Sequence, residues 1–170
     1  MSKNRQVCRY FSFSFPNTGK ENLLRSPDYE EWANAVILCR LQQCRETDER
    51  ALQVFAHVLA PQTIWLSRIR REVPTVSLWP ALSLDECAAL MKKNLAQWRD
   101  FIATASEEDL KQWVSFKLPN ADKEQKIAVY DVVAHLINHG TNHHGQIILR
   151  LKGKIHPLPL TTYITFAASF

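Results

Sequence analysis

Apolar side chains recur every three or four residues along four long stretches, the spacing of amphipathic helices. The first carries Trp32, Ala35, Val36, Cys39 and Leu41. Ahead of it, Ser26-Pro27-Asp28 has the form of a helix start, with a serine cap, proline first in the helix and an acid in the opening turn. A helix from Ser26 to about Cys44 is expected. The second carries Leu52, Phe55, Ala56, Leu59, Ile64, Trp65 and Ile69, with Glu46-Thr47-Asp48-Glu49 as a polar break that caps it. Pro61 falls inside this pattern and predicts a kink or a change of register.

A loop follows over 72–81, with Leu78 and Trp79 expected to fold back onto the core. Ser83-Leu84-Asp85-Glu86 fits a capping box. It opens a third helix through Cys87, Leu90, Met91, Leu95, Trp98, Phe101 and Ile102. Ser106-Glu107-Glu108-Asp109 ends that helix and starts a short turn. Trp113 to Lys117 alternates and predicts an extended segment. It pairs back through a turn at 119–123 with Lys126 to Val129 as a small hairpin. The fourth long helix runs from about Tyr130 to Gly153, and 161–166 predicts a short helix or strand covering one end. Residues 1–25 show no period. Phe11, Phe13 and Phe15 alternate with serines in the manner of a short strand, but a loosely held extension is the preferred reading.

The pattern therefore predicts an all-α four-helix bundle over 26–170, with a small hairpin before the last long helix. Composition supports this. The chain has 170 residues, 46% of them hydrophobic, and only four glycines, which suits one helical domain rather than a turn-rich β fold. The net charge of +4 is mild and dispersed. Its densest cluster, Arg68, Arg70 and Arg71, falls at a predicted helix end, where cations suit the dipole better than they mark a nucleic-acid surface. Four cysteines, Cys8, Cys39, Cys44 and Cys87, form no C-x-x-C pair and read as reduced thiols of a cytoplasmic protein. No leader and no membrane-spanning stretch is expected.

The candidate chemistry is in the last long helix. It holds His135, His139, His143 and His144. The first three are four residues apart and share one face. Neutral imidazoles in that pattern suit a divalent metal. His135 and His143 lie about 12 Å apart along the axis, whereas metal–nitrogen bonds span only about 2.0–2.1 Å for zinc. One ion therefore takes at most an i, i+4 pair from this helix, and a third ligand comes from another. The remaining candidates are His57, in an apolar stretch of the second helix, and His156, before Pro157 in a loop. His57 is the better placed. Against this stands the ordinary role of histidine on an apolar face, a core side chain with a hydrogen-bond partner.

Asn138-His139-Gly140-Thr141-Asn142-His143-His144-Gly145-Gln146 resembles the N-H-x-x-x-H-R-G-Q signature of the DinB-like proteins. Trp32-Ala33-Asn34, His57 followed by Ile64-Trp65-Leu66, Leu78-Trp79-Pro80, and Gly153 followed by Tyr163-Ile164 resemble further features of that family in the same order. The resemblance covers roughly 26–166. It implies a four-helix bundle, often homodimeric, that binds zinc or nickel through His57, His139 and His143. His144 stands where the family has Arg, and Thr162 where it has Asp. His135 has a counterpart in many relatives but is not read as a ligand. His144, Gln146 and Trp65 are pocket candidates. Relatives include thiol-dependent S-transferases and metal-dependent hydrolases. The expected function is thus metal-dependent transfer of a low-molecular-weight thiol or hydrolysis of a small molecule, without nucleic-acid or membrane partners. The alternative is a non-catalytic metal-binding structural or stress-response bundle. No general base is evident: His139 is followed by Gly140, and Asp131 is about 12 Å away along the helix.

Overall fold

The computed structural model describes residues 19–117 and 122–169. The Phe11–Phe15 alternation and most of the 119–123 turn lie outside them. The architecture is an all-α bundle of four long helices: α1 Gly19–Gln42, α2 Glu49–Ile69, α3 Leu84–Thr104 and α5 Val129–Leu151. Between the last two come α4, Glu107–Lys111, and an antiparallel hairpin of β1, Trp113–Phe116, with β2, Gln125–Ala128. A final short helix, α6, spans Tyr163–Ala167. No helix among the described residues is long and apolar enough to cross a membrane.

One expected boundary moves. α1 begins at Gly19, so Pro27 is interior and not the first helical residue. Its missing N–H leaves the Leu23 carbonyl without a helical donor. Likewise α2 runs on through Pro61 to Ile69 as one helix. Burial of every residue from Val54 to Ser67 holds it, an instance of tertiary packing overriding local propensity. The caps follow the sequence more closely. Asp48 accepts from the Ala51 N–H at 2.8 Å. Ser83 and Glu86 form a reciprocal capping box, and Ser106 with Asp109 forms another.

The bundle has two apolar clusters. One gathers Ile37, Leu41, Phe55, Leu59, Cys87, Ile147 and Leu151. The other gathers Trp65, Ile69, Trp98, Ile102, Val129, Val132 and Leu136 against the hairpin residue Val114. Along α2, α3 and α5, buried polar residues fall between the two. Thr63 Oγ1 donates to Asn94 Oδ1 at 2.7 Å, and Asn94 Nδ2 donates to the Leu59 carbonyl at 3.0 Å. Trp98 Nε1 donates to the Gln62 carbonyl at 3.0 Å. A third, smaller cluster packs Tyr29, Ala33 and Phe166, which ties α6 to α1.

Candidate metal centre

α2 and α5 pack side by side through the middle of the bundle, and the histidines meet at that seam. Side-chain nitrogens of His57, His139 and His143 all lie within 4.8 Å of one another. His57 comes from the apolar run of α2. His139 and His143 come from successive turns of α5. His57 is 6% exposed and the other two are half-buried.

Hydrogen bonds orient two of the three rings. The Leu78 carbonyl sits 2.8 Å from His57 Nδ1, so that nitrogen carries the proton and Nε2 presents its lone pair. Gln146 Oε1 sits 3.1 Å from His143 Nδ1, which leaves Nε2 of that ring free in the same way. Fixing of one ring nitrogen by a carbonyl is how ligand histidines are commonly held. His57 Nε2 faces His139 Nε2 at 3.1 Å, while His139 Nδ1 is buried without a hydrogen bond. Burial and the neighbouring imidazoles hold His139 down at about 3, and burial lowers His57 as well. The His57 and His139 rings are thus held toward the neutral form, the one that ligates metal. Donor type, spacing and protonation all fit a divalent cation.

Leu78 and Trp79 do not fold back onto the core as expected. Both are 43% exposed. The loop instead grips His57, since the Trp79 ring lies flat on the imidazole with centroids 3.6 Å apart and planes within 2°. The edge of the His57 imidazole offers this tryptophan a planar partner nearer the surface than the core. Sequence reasoning placed Gln146 only as a pocket residue; the i, i+3 spacing from His143 was the available signal for its orienting role.

The other candidates separate from the trio. His135 is exposed, its ring 5.8 Å from that of His139. His144 is fully buried, and its Nε2 pairs with Asn34 Oδ1 of α1 at 2.8 Å. It is a tie between helices, and burial lowers it to about 4. Trp65 is a core residue against Phe116. His156 lies exposed in the loop after α5. Cys44 and Cys87 are free thiols, the latter fully buried and pushed up to about 11 by that burial.

A family model described as the DinB superfamily matches residues 41–147, which span α2 through the whole histidine pair of α5. The chain belongs to the DinB superfamily. No curated protein matches it. The match includes His57, His139, His143 and Gln146, as well as Leu78 and Trp79, so this DinB protein carries its three-histidine cluster and its ring-orienting groups within the family region.

Proposed function

We propose that this DinB protein is a divalent-metal enzyme whose ion, zinc or nickel, is held by His57, His139 and His143. The observation that carries the reading is the convergence of three imidazoles, two of them with Nδ1 committed to Leu78 and Gln146. Three protein ligands are the pattern of a catalytic site, whereas structural zinc sites close with four. A bound divalent ion supplies a Lewis acid with a coordination position open to substrate.

The chain's own residues narrow the chemistry. The groups whose charge acts on His57 and His139 are other imidazoles and Arg50, and none is a carboxylate. Among the described residues, no carboxylate thus stands out as a general base to activate water at the cluster. A thiol substrate needs none, because its thiolate is the nucleophile. S-transfer from a low-molecular-weight thiol is favoured over hydrolysis on this ground. Trp79, flat against His57, excludes water from one side of the ring and fixes its direction. The proposed setting is the cytoplasm and the proposed assembly a homodimer, the latter resting on family membership alone.

Elemental analysis of untagged protein, beside His57→Ala and His139→Ala, tests the reading. About one equivalent of metal is expected in wild type, by the three-ligand pattern, and loss in both variants with the helical fold retained. Metal retained in His57→Ala would break the trio. Unfolding of both variants on metal loss would make the ion structural, since its binding energy would then be folding energy.

A further inference from the structure

Two arginines flank the cluster on α2, and neither has an acidic partner among the described residues. Arg50 precedes His57 by seven residues and Arg68 follows it by eleven, so all three fall on nearly the same helix face. The Arg50 guanidinium stands over the Trp79 ring, 5.3 Å from its centroid. Arg50, Trp79 and His57 thus form a continuous stack running out from the cluster to solvent. The one hydrogen bond that the described residues give Arg50 goes to the neutral side chain of Gln53, at 2.6 Å. Its charge is felt at the site, where it contributes to the lowering of His57. Arg68 lies over Trp65, 4.8 Å from its centroid, and is partly desolvated there.

Several other cations of the molecule are paired. Arg99 holds Asp28 and Glu31, Arg150 and Lys154 hold Asp48, and Arg70 reaches Asp100. Three neutral ligands do nothing to offset a divalent ion, so a loaded site and Arg50 leave positive charge uncompensated on one side of the bundle.

We propose that the substrate bound at this site carries a carboxylate, separate from the atom that meets the ion, and that Arg50 receives it. The proposal rests on the metal-site reading above and names the substrate class for it. A carboxylate is favoured over a phosphate dianion because the two arginines do not converge. They are eighteen residues apart, about 27 Å along α2, so one anion meets one guanidinium. Arg68 adds only to the long-range field. The Arg50 guanidinium, held beside Trp79 and by Gln53, offers a fork suited to meeting two carboxylate oxygens.

Cobalt(II)-loaded protein offers a test by thiolate-to-cobalt absorption. Three small thiols serve as probes: 3-mercaptopropionate, neutral 2-mercaptoethanol and cationic cysteamine. Each is titrated into wild type, Arg50→Gln, Arg50→Lys and Arg68→Gln. The ratio of wild-type to variant affinity for each thiol cancels the thiols' intrinsic differences. In Arg50→Gln, 3-mercaptopropionate is expected to weaken about tenfold, the worth of one charged hydrogen bond. Mercaptoethanol is expected to change little and cysteamine to tighten. Arg50→Lys should recover part of the loss, and Arg68→Gln should shift all three far less. Equal weakening of all three thiols in Arg50→Gln, or no change in any, would overturn the carboxylate assignment while leaving the metal site standing. Failure of wild type to take up cobalt would instead remove the metal reading and this proposal with it.

Discussion

The carboxyl group of Glu30 on α1 rests directly on the backbone of Gly140 on α5. A Cβ at position 140 would overlap both carboxyl oxygens. Glu30 is 7% exposed and Gly140 is the residue after His139, so the contact brings α1 against the turn that carries a proposed ligand. Gly140→Ala is expected to cost about 1–3 kcal/mol of stability, the usual range for overpacking a filled interior. The double variant with Glu30→Ala should recover much of it. Denaturant unfolding of the four members of this cycle measures the coupling, and strict additivity would show that the two residues do not conflict.

Glu30 also makes stability depend on pH. Burial raises its carboxyl from an ordinary 4.5 to about 8, with Asn34 acting slightly the other way. Gln62 Nε2 is 3.4 Å from Oε2, and Oε1 has no hydrogen bond. Between those two values the folded chain keeps a proton that the unfolded chain has released. The stability held below pH 4.5 is therefore lost as pH rises toward 8 and beyond. Glu30→Gln removes this slope. Chemical denaturation should find the variant more stable than wild type at pH 9, on the order of 2–4 kcal/mol, and nearly equal at pH 5. Parallel stability curves across that range would contradict the assignment.

Asp48 behaves in the opposite sense. It caps α2 while Arg150 and Lys154 of the α5 end grip its two oxygens, Arg150 Nε at 2.7 Å from Oδ1. These contacts, Arg150 first, hold its carboxyl well below the usual carboxylate range. Its contribution is present above the ordinary 3.8 and fades as pH falls below that value. Asp48→Asn keeps a competent cap but loses both ion pairs. Because both cations are about half exposed, screening limits the expected loss to about 1–2 kcal/mol at neutral pH. The difference in melting temperature between the two proteins should shrink in acid.

Trp79→Ala tests the ring that lies on His57. The tryptophan is half exposed and outside the apolar clusters, so thermal stability should change little. Metal affinity should fall about tenfold, the lower end of what loss of a ligand-orienting neighbour costs. Competition with a colorimetric chelator reads this directly. Unchanged affinity would mean that the Leu78 carbonyl alone sets the ring.

The bundle was legible because each long helix states its period and three of the caps are spelled by local residues, Asp48, Ser83 and Ser106. The start of α1 was not. Ser26-Pro27-Asp28 carries every local mark of a helix beginning, and nothing within those residues reveals that the chain ahead of them is already helical. The cluster was legible for a related reason. His139 and His143 are fixed relative to each other by helix spacing, so only one partner had to be found. Leu78 contributes a backbone carbonyl, which no side-chain pattern encodes. Trp79 was assigned to the core because an aromatic ring in a proline-bounded loop gives no sign of which surface it covers. Arg50 and Arg68 look in sequence like solvated helix charges, and only the stacking on Trp79 and Trp65 sets them apart.

The buried polar residues between the two apolar clusters act as a gauge of length. A greasy seam tolerates sliding, because one leucine replaces another. Asn94, Gln62, Asn34 and His144 do not. Displacing any long helix by one turn, about 5.4 Å, would strand those groups without partners at about 1–3 kcal/mol each. α2 is tied to α3 through Asn94 and to α1 through Gln62, and α5 is tied to α1 through His144, so α2 and α5 are held at one offset through α1 by contacts that do not involve the three histidines. The nitrogens arrive at their mutual distances as a by-product of folding. A divalent ion bound there, as proposed, would meet nitrogens that folding has already gathered within 4.8 Å of one another.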